Sequence, residues 1–312
     1  MGPQRPFRFG IQAPTAPEGM TWAALARKVE DLGYATLTVS DHFDDQLAVT
    51  PALMAAADAT TELRVGSLTY GNDYRHPVVL AKEAATLDRL SGGRFELGLG
   101  AGWMVQDYEQ AGLTLDSPGV RIERLGEALE VLTRLWADKP CTFVGQHYQV
   151  TALEGWPKPL QRPRPPLLIG GGGRRLLTLA ARWADIIGLN IALGAGRIDE
   201  RAGPSATDEA TLTKLDWIRQ AAGARFDQIE LHVRVHLALV DPDRRAVAES
   251  VGPTMGLTPD QAMHSPHALV GRVGEIVEQC LDRRERYGIS YVGLSVDALD
   301  AMAPVVEALA GR

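Results

Sequence analysis

Strand-like apolar runs alternate with amphipathic helical stretches along almost the whole chain, and this rhythm restricts the folds open to it. Strands are predicted at 7–13, 34–40, 63–70, 95–99, 167–169, 186–190, 229–240 and 291–296. Between and after them the spacing predicts helices at 22–32, 51–60, 78–90, 121–136, 174–183, 212–222, 273–287 and 301–309. A strand that returns through a helix of ten or more residues pairs in parallel with its predecessor. Eight such units predict closure into a (β/α)₈ TIM barrel, one domain over 1–312. A doubly wound open sheet would share the alternation. It would also need G-x-G-x-x-G at its first strand–helix turn, and residues 12–19 (QAPTAPEG) do not supply it.

Three stretches break the rhythm. Residues 142–150 read as a hairpin, an insertion of about 141–153 before the fifth strand, followed by a proline-rich link at 157–166. The regions at about 191–210 and 252–268 lack periodicity and read as irregular loops.

The net charge of −7 argues against a nucleic-acid partner, which selects for basic faces. No apolar run approaches the roughly 20 residues that cross a bilayer, and the first residues lack the apolar stretch of a secretion signal. Cys141 and Cys280 are the two cysteines and have no metal-ligand spacing, so a reducing, cytoplasmic location is expected.

Barrel chemistry gathers at the residues that follow each strand. Those positions hold Asp41-His42, Gly71–Tyr74, Gly100–Trp103, the run from Gly170 to Arg175, and Asn190. No nucleophile elbow, no H-x-H after the first strand and no adjacent carboxylate pair appear among them, so no metal is expected. The glycine clusters suit close backbone approach by something planar or phosphorylated. Gly171, Gly172 and Gly173 before Arg175 fit either an anion site at a helix start or a plain turn with solvated arginines. Trp103 would wall a flat ligand or pack in the core, and Asp41-His42 would serve the mouth or merely cap a turn. His232 and His236 share a strand face but stand about 13 Å apart by strand rise, too far for a metal pair.

Four segments together resemble the bacterial luciferase-like flavin and deazaflavin oxidoreductases: VSDHF at 39–43, VGSLTYGNDYRHP at 65–77, SGGRFELGLGAGW at 91–103 and LLIGGGGRRL at 167–176. The SDHF and GAGW forms are most similar to the branch that uses coenzyme F420, a 5-deazaflavin. The resemblance covers essentially the whole chain and implies an F420-dependent oxidoreductase acting on a small organic substrate (C=C, C=N or alcohol/carbonyl). An FMN-dependent monooxygenase and a non-catalytic flavin-binding barrel are the alternatives. It implies a bulge and non-prolyl cis peptide at Leu68–Thr69 behind the ring, with Asp41 touching the ring and His42 facing the substrate as proton donor or acceptor. Gly71, Gly100 and Gly102 would lie against the cofactor, Trp103 and Gln106 near its ribityl-phosphate side, and Gly171, Gly172, Gly173 and Arg175 at its phosphate. Glucose-6-phosphate dehydrogenases of this family carry a glutamate where Trp103 stands, and an indole cannot donate a proton as that acid does. A homodimer is expected by the same resemblance.

Overall fold

A computed structural model describes residues 5–194 and 196–312; Met1–Gln4 and Ala195, the latter within the loop expected at 191–210, lie outside the described residues. Eight parallel strands close on themselves: β1 (Arg8–Gln12), β2 (Thr36–Val39), β3 (Arg64–Ser67, resumed at Tyr70–Gly71), β4 (Phe95–Gly100), β5 (Leu167–Gly171), β6 (Ile186–Leu189), β7 (Glu230–Arg234) and β8 (Ile289–Ser295). The ring closes where β3 meets β4, Val65 opposite Phe95 and Tyr70 opposite Leu99, and where β8 meets β1, Arg8 opposite Tyr291.

Strand alternation decides which side chains leave the barrel and which enter it. Phe9, Ile11, Leu37, Val39, Leu97, Leu99, Ile187, Val233 and Leu294 are fully or almost fully buried in the shell shared with the surrounding helices. Those helices carry their own start signals: Thr21 accepts from the Ala24 N–H at 3.2 Å, and Pro77 and Pro118 open the helices Pro77–Leu90 and Pro118–Trp136.

The inward positions build the barrel from the bottom. At the strand N-termini Arg8 donates to Glu96 at 2.6 Å and to Glu230 at 2.7 Å, while Arg64 reaches Glu96 at 2.6 Å. The Arg8 guanidinium also lies 3.9 Å from the Tyr291 ring centre. Above this charged floor Leu168, Ile186 and Tyr291 pack together with Leu68 against them. His232 stands edge-on to Tyr291, and its ring occupies the space that side chains on Gly188 and Gly293 would need. A Cβ on Gly293 would lie 2.4 Å from His232 Nε2.

Several expected elements are revised. The cis peptide expected at Leu68–Thr69 is present, and it interrupts the strand read at 63–70. The strand read at 229–240 is two strands. After Val235, whose amide still donates to Gly293 O, the chain leaves β8: the His236 and Leu237 amides donate to His267 O, and Leu237–Val240 pairs with Ala268–Gly271 outside the barrel. The stretch at 252–268 is not all irregular, since it holds a 3₁₀ turn at Gly252–Met255 and the capped helix Pro259–His264. Two further helices, Val105–Ala111 and Arg244–Val251, are too short for periodicity to reveal. The hairpin is present as Cys141–Val144 against Gln149–Leu153, and Glu127 accepts the amides of Gln146, His147 and Tyr148 at its turn.

Candidate active site at the barrel mouth

The C-terminal ends of the strands form a mouth whose geometry begins at the break in β3. Gln12 reaches across from β1 and donates to Leu68 O at 2.8 Å, fixing the peptide plane beside the interruption. The neighbouring strand must give way for this kink. A Cβ on Gly98 would sit 1.9 Å from Ser67 O, and one on Gly100 would sit 2.5 Å from Thr69 Oγ1. Glycine at these two positions is therefore a packing requirement of β3. Across the mouth Gly170 is less crowded, with Thr69 Cγ2 no nearer than 3.8 Å to an added Cβ.

On the lip, His42 follows β2 and turns Nδ1 to Asp107 Oδ2 at 2.6 Å. Asp107 is buried and also accepts from the Tyr74 hydroxyl at 3.1 Å and from the Phe43 N–H at 3.3 Å. Three donors around one carboxylate identify it as the acceptor, so Nδ1 carries a proton and, in the neutral form of the His42 imidazole, Nε2 presents a lone pair. Among the described residues Nε2 meets no hydrogen-bond partner. The Trp103 indole stands edge-on to the imidazole, ring centres 5.7 Å apart at 85°. Burial, reinforced by Asp107, pushes the Tyr74 phenol well above its usual range, so it remains a donor. Tyr108, from the same helix as Asp107, donates to Asp73 Oδ2 at 2.9 Å, and Arg124 holds the other oxygen of Asp73 at 2.8 Å.

Asp41 and Gly71 are brought together, the Gly71 N–H donating to Asp41 Oδ2 at 2.9 Å. Arg75 clamps both oxygens of that carboxylate at 2.7 and 3.2 Å. Leu68, Thr69 and Gly100 meet at the broken strand, and Gly102 adopts φ +75° with Tyr108 packed where a Cβ would be. Gln106, on the helix Val105–Ala111, is exposed.

The fifth strand–helix turn forms a separate corner. Gly171 ends β5, Gly172 is buried against the 191–192 backbone, and Gly173 is the exposed N-cap of the helix Arg174–Trp183. No side chain caps that helix, so its first amides are open to an anion, with the exposed Arg174 and Arg175 beside them. Arg175 pairs outward with Glu123 at 2.6 Å.

Three features of the mouth were not read from sequence. Asp107 sits 65 residues from His42 on a seven-residue helix, and only Gly112, its left-handed C-cap, marks where that helix ends. Asn190 Oδ1 lies 2.9 Å from His236 Nε2, bringing the ends of β6 and β7 together. Lys214, buried, donates to Asn190 O at 2.9 Å and to Ser205 O at 2.5 Å, tying down the loop after β6. Burial lowers its ammonium to about 8.

Among the described residues no three His, Cys, Asp or Glu side chains stand where a metal could bind, and no helix is long and apolar enough to cross a membrane. The sequence pattern of the luciferase-like monooxygenase family matches residues 7–285. An F420-dependent glucose-6-phosphate dehydrogenase of Nakamurella multipartita is 27% identical over 266 residues, 82% of this chain and 75% of that one. The FMNH(2)-dependent dimethylsulfone monooxygenase of Pseudomonas putida is 26% identical over 209 residues, 67% of this chain and 53% of that one. In structure, the coenzyme F420-dependent tetrahydromethanopterin reductase of Methanopyrus kandleri superposes with a TM-score of 0.78 at 18% identity, covering 97% of this chain and 98% of that one.

Proposed function

The chain belongs to the luciferase-like monooxygenase family, and we propose that it is a coenzyme F420-dependent oxidoreductase moving a hydride between the deazaflavin and a small organic substrate. The observation that carries this reading is the His42–Asp107 pair on the lip of the mouth, an ionisable imidazole held by a buried carboxylate. Hydride transfer to or from C=C, C=N or carbonyl carbon is accompanied by a proton, and a positioned imidazole suits that proton's path.

The residues present fit such a cofactor at both ends. The uncapped helix start after Gly173, with Arg174 and Arg175, would hold a phosphate. The Leu68–Thr69 peptide, with no side chain at Gly170 near it, would back a flat ring. When bound, the deazaflavin supplies the two-electron hydride chemistry and the protein supplies orientation. Asp107 holds Nδ1–H, Trp103 limits the swing of the imidazole, and His42 Nε2 accepts or returns the substrate proton. Arg75 and the Gly71 amide fix the Asp41 carboxyl group beside the broken strand.

An FMN-dependent monooxygenase is the second reading, favoured by the similarity to the dimethylsulfone enzyme. A homodimer and a cytoplasmic location accompany the leading reading as expectations. Fluorescence titration of the purified protein with F420 and, separately, with FMN tests it. Saturable binding of F420 in preference to FMN supports the proposal. Preference for FMN transfers the site to the monooxygenase reading, and binding without turnover on any alcohol, enone or imine points to a non-catalytic flavin barrel.

A further inference from the structure

Arg234 ends β7 on the strand face that Glu230 and His232 turn into the barrel, while Leu231 and Val233 take the opposite face into the core. The strand stands halfway round the ring from the break in β3. Arg234 Nη1 donates to the carbonyls of Val235 at 2.7 Å and Gly293 at 3.4 Å. That leaves Nε–H and Nη2–H, which lie along one edge of the guanidinium and point the same way. The side chain is half-buried, and among the described residues neither of these donors has a partner or is sealed from solvent.

The two arginines of the barrel floor are paired by contrast. Arg8 gives the same Nε–Nη2 edge to Glu230 at 2.8 and 2.7 Å, and Arg64 reaches Glu96 at 2.6 Å. Burial opposes the charge of Arg8, but Glu96 and its neighbours outweigh it and raise the group. At Arg234 burial prevails over the pull of Asp297 and lowers the guanidinium to about 10, still a cation at neutral pH. A partly desolvated cation without a counter-charge is costly, and an anion on its open edge offsets that cost.

A second donor stands beside it. Leu189 of β6 pairs with Val233 of β7, so Asn190 and Arg234 are neighbours at the strand ends. The Ile191 N–H donates to Asn190 Oδ1 at 2.8 Å, which identifies the oxygen end of that amide. Among the described residues Asn190 Nδ2 meets no acceptor. On the other side Arg234 pairs with Gly293, which adds no side chain at that level.

We propose that this corner binds a carboxylate of the substrate, its two oxygens on Arg234 Nε and Nη2 with Asn190 Nδ2 as a further donor. One positive charge and two parallel N–H groups match the one charge and two oxygens of a planar carboxylate; a phosphate would leave a second charge and further oxygens unmet. Arg234 faces the Leu68–Thr69 peptide from the opposite wall, so an acid held there reaches into the mouth rather than away from it. That the acid is the substrate rests on the oxidoreductase reading above; that the corner binds it does not.

Benzoate and benzamide, alike in shape and different in charge, are the probes, titrated by calorimetry into the protein with and without saturating F420. Saturable benzoate binding in at least one of these states, with benzamide about tenfold weaker or more, is the expected result. Arg234→Gln should abolish it, and Arg234→Lys, which keeps the charge and loses the fork, should weaken it about tenfold. No saturable benzoate binding in either state, or equal affinity for benzamide, overturns the proposal. Undiminished binding in either variant does so too, by placing the acid elsewhere, such as the helix start after Gly173. Arg234→Lys decides the point should Arg234→Gln not fold. The F420 titration keeps the two readings apart. Benzoate binding through Arg234 without F420 binding leaves the corner standing and removes the oxidoreductase; F420 binding without benzoate binding does the reverse.

Discussion

Asp107 is a carboxylate surrounded by donors: the His42 ring N–H, the Tyr74 hydroxyl and the Phe43 amide. An amide in its place would present an N–H to one of them, and the imidazole would lose its fixed tautomer. Asp107→Asn is therefore expected to lower kcat about tenfold while F420 affinity stays unchanged; His42→Ala should cost roughly 10²-fold or more. Steady-state kinetics beside a binding titration would check both, and full turnover in His42→Ala would remove its proton-transfer role. His42 was legible in the sequence because it follows a β-branched run at a strand end. Its partner was not, since a contact across 65 residues leaves no spacing to read.

Among the elements, the glycine run after β5 is the most informative. From sequence, Gly171, Gly172 and Gly173 are interchangeable members of one turn, but the structure separates them. A Cβ on Gly172 would stand 2.5 Å from the backbone of Ile191 and Ala192, which cannot swing aside. A Cβ on Gly173 would meet nothing within 4 Å, and φ is −97° there. Gly172→Ala is expected to cost about 1–3 kcal/mol in denaturant unfolding, by overpacking. Gly173→Ala should stay within about 0.5 kcal/mol. Equal effects would contradict the packing described. The alternation of strands and helices was readable because period 2 and period 3.6 each persist over several residues. The break at Leu68–Thr69 was reached through the family resemblance and not through periodicity; the one at Val235–His236 was not reached at all, because the segment stays largely apolar while the chain changes its hydrogen-bonding partner.

At the scale of the whole molecule, stability should depend on pH through buried groups outside the His42–Asp107 pair. Burial, then the charges of Arg8 and Arg234, lowers His232 to about 3, and burial holds His267 well below its usual value. An unfolded imidazole titrates near pKa ~6.5, so between that pH and the lowered folded values the unfolded chain binds protons the folded chain refuses. Stability falls as pH falls through that window, by about 1.4 kcal/mol per pH unit for each imidazole. Glu96 acts lower on the scale. Burial alone would raise it, but Arg8 and Arg64 bring it below the ordinary carboxylate range. Its stabilisation is present above about pH 4.3 and is lost as pH drops through the lowered value. Urea unfolding at pH 7, 6 and 5 should therefore show a falling midpoint, and His232→Leu should make that slope shallower by one proton. An unchanged slope would mean that His232 is protonated in the folded barrel. None of this was visible in the sequence, where Arg8, Arg64, Glu96 and Glu230 read as ordinary strand-end charges. They meet only because the sheet closes across 88 and 222 residues.

That charged floor also governs traffic. With Arg8, Glu96, Arg64 and Glu230 locked across one end and Tyr291, Leu168 and Ile186 packed beside them, the described residues fill that end of the barrel and leave the mouth as the side of approach. Whatever lies deepest must arrive first and depart last. Under the proposed function, a cofactor and a substrate meeting in this mouth would queue rather than exchange independently, and the outer one would gate the turnover of the inner.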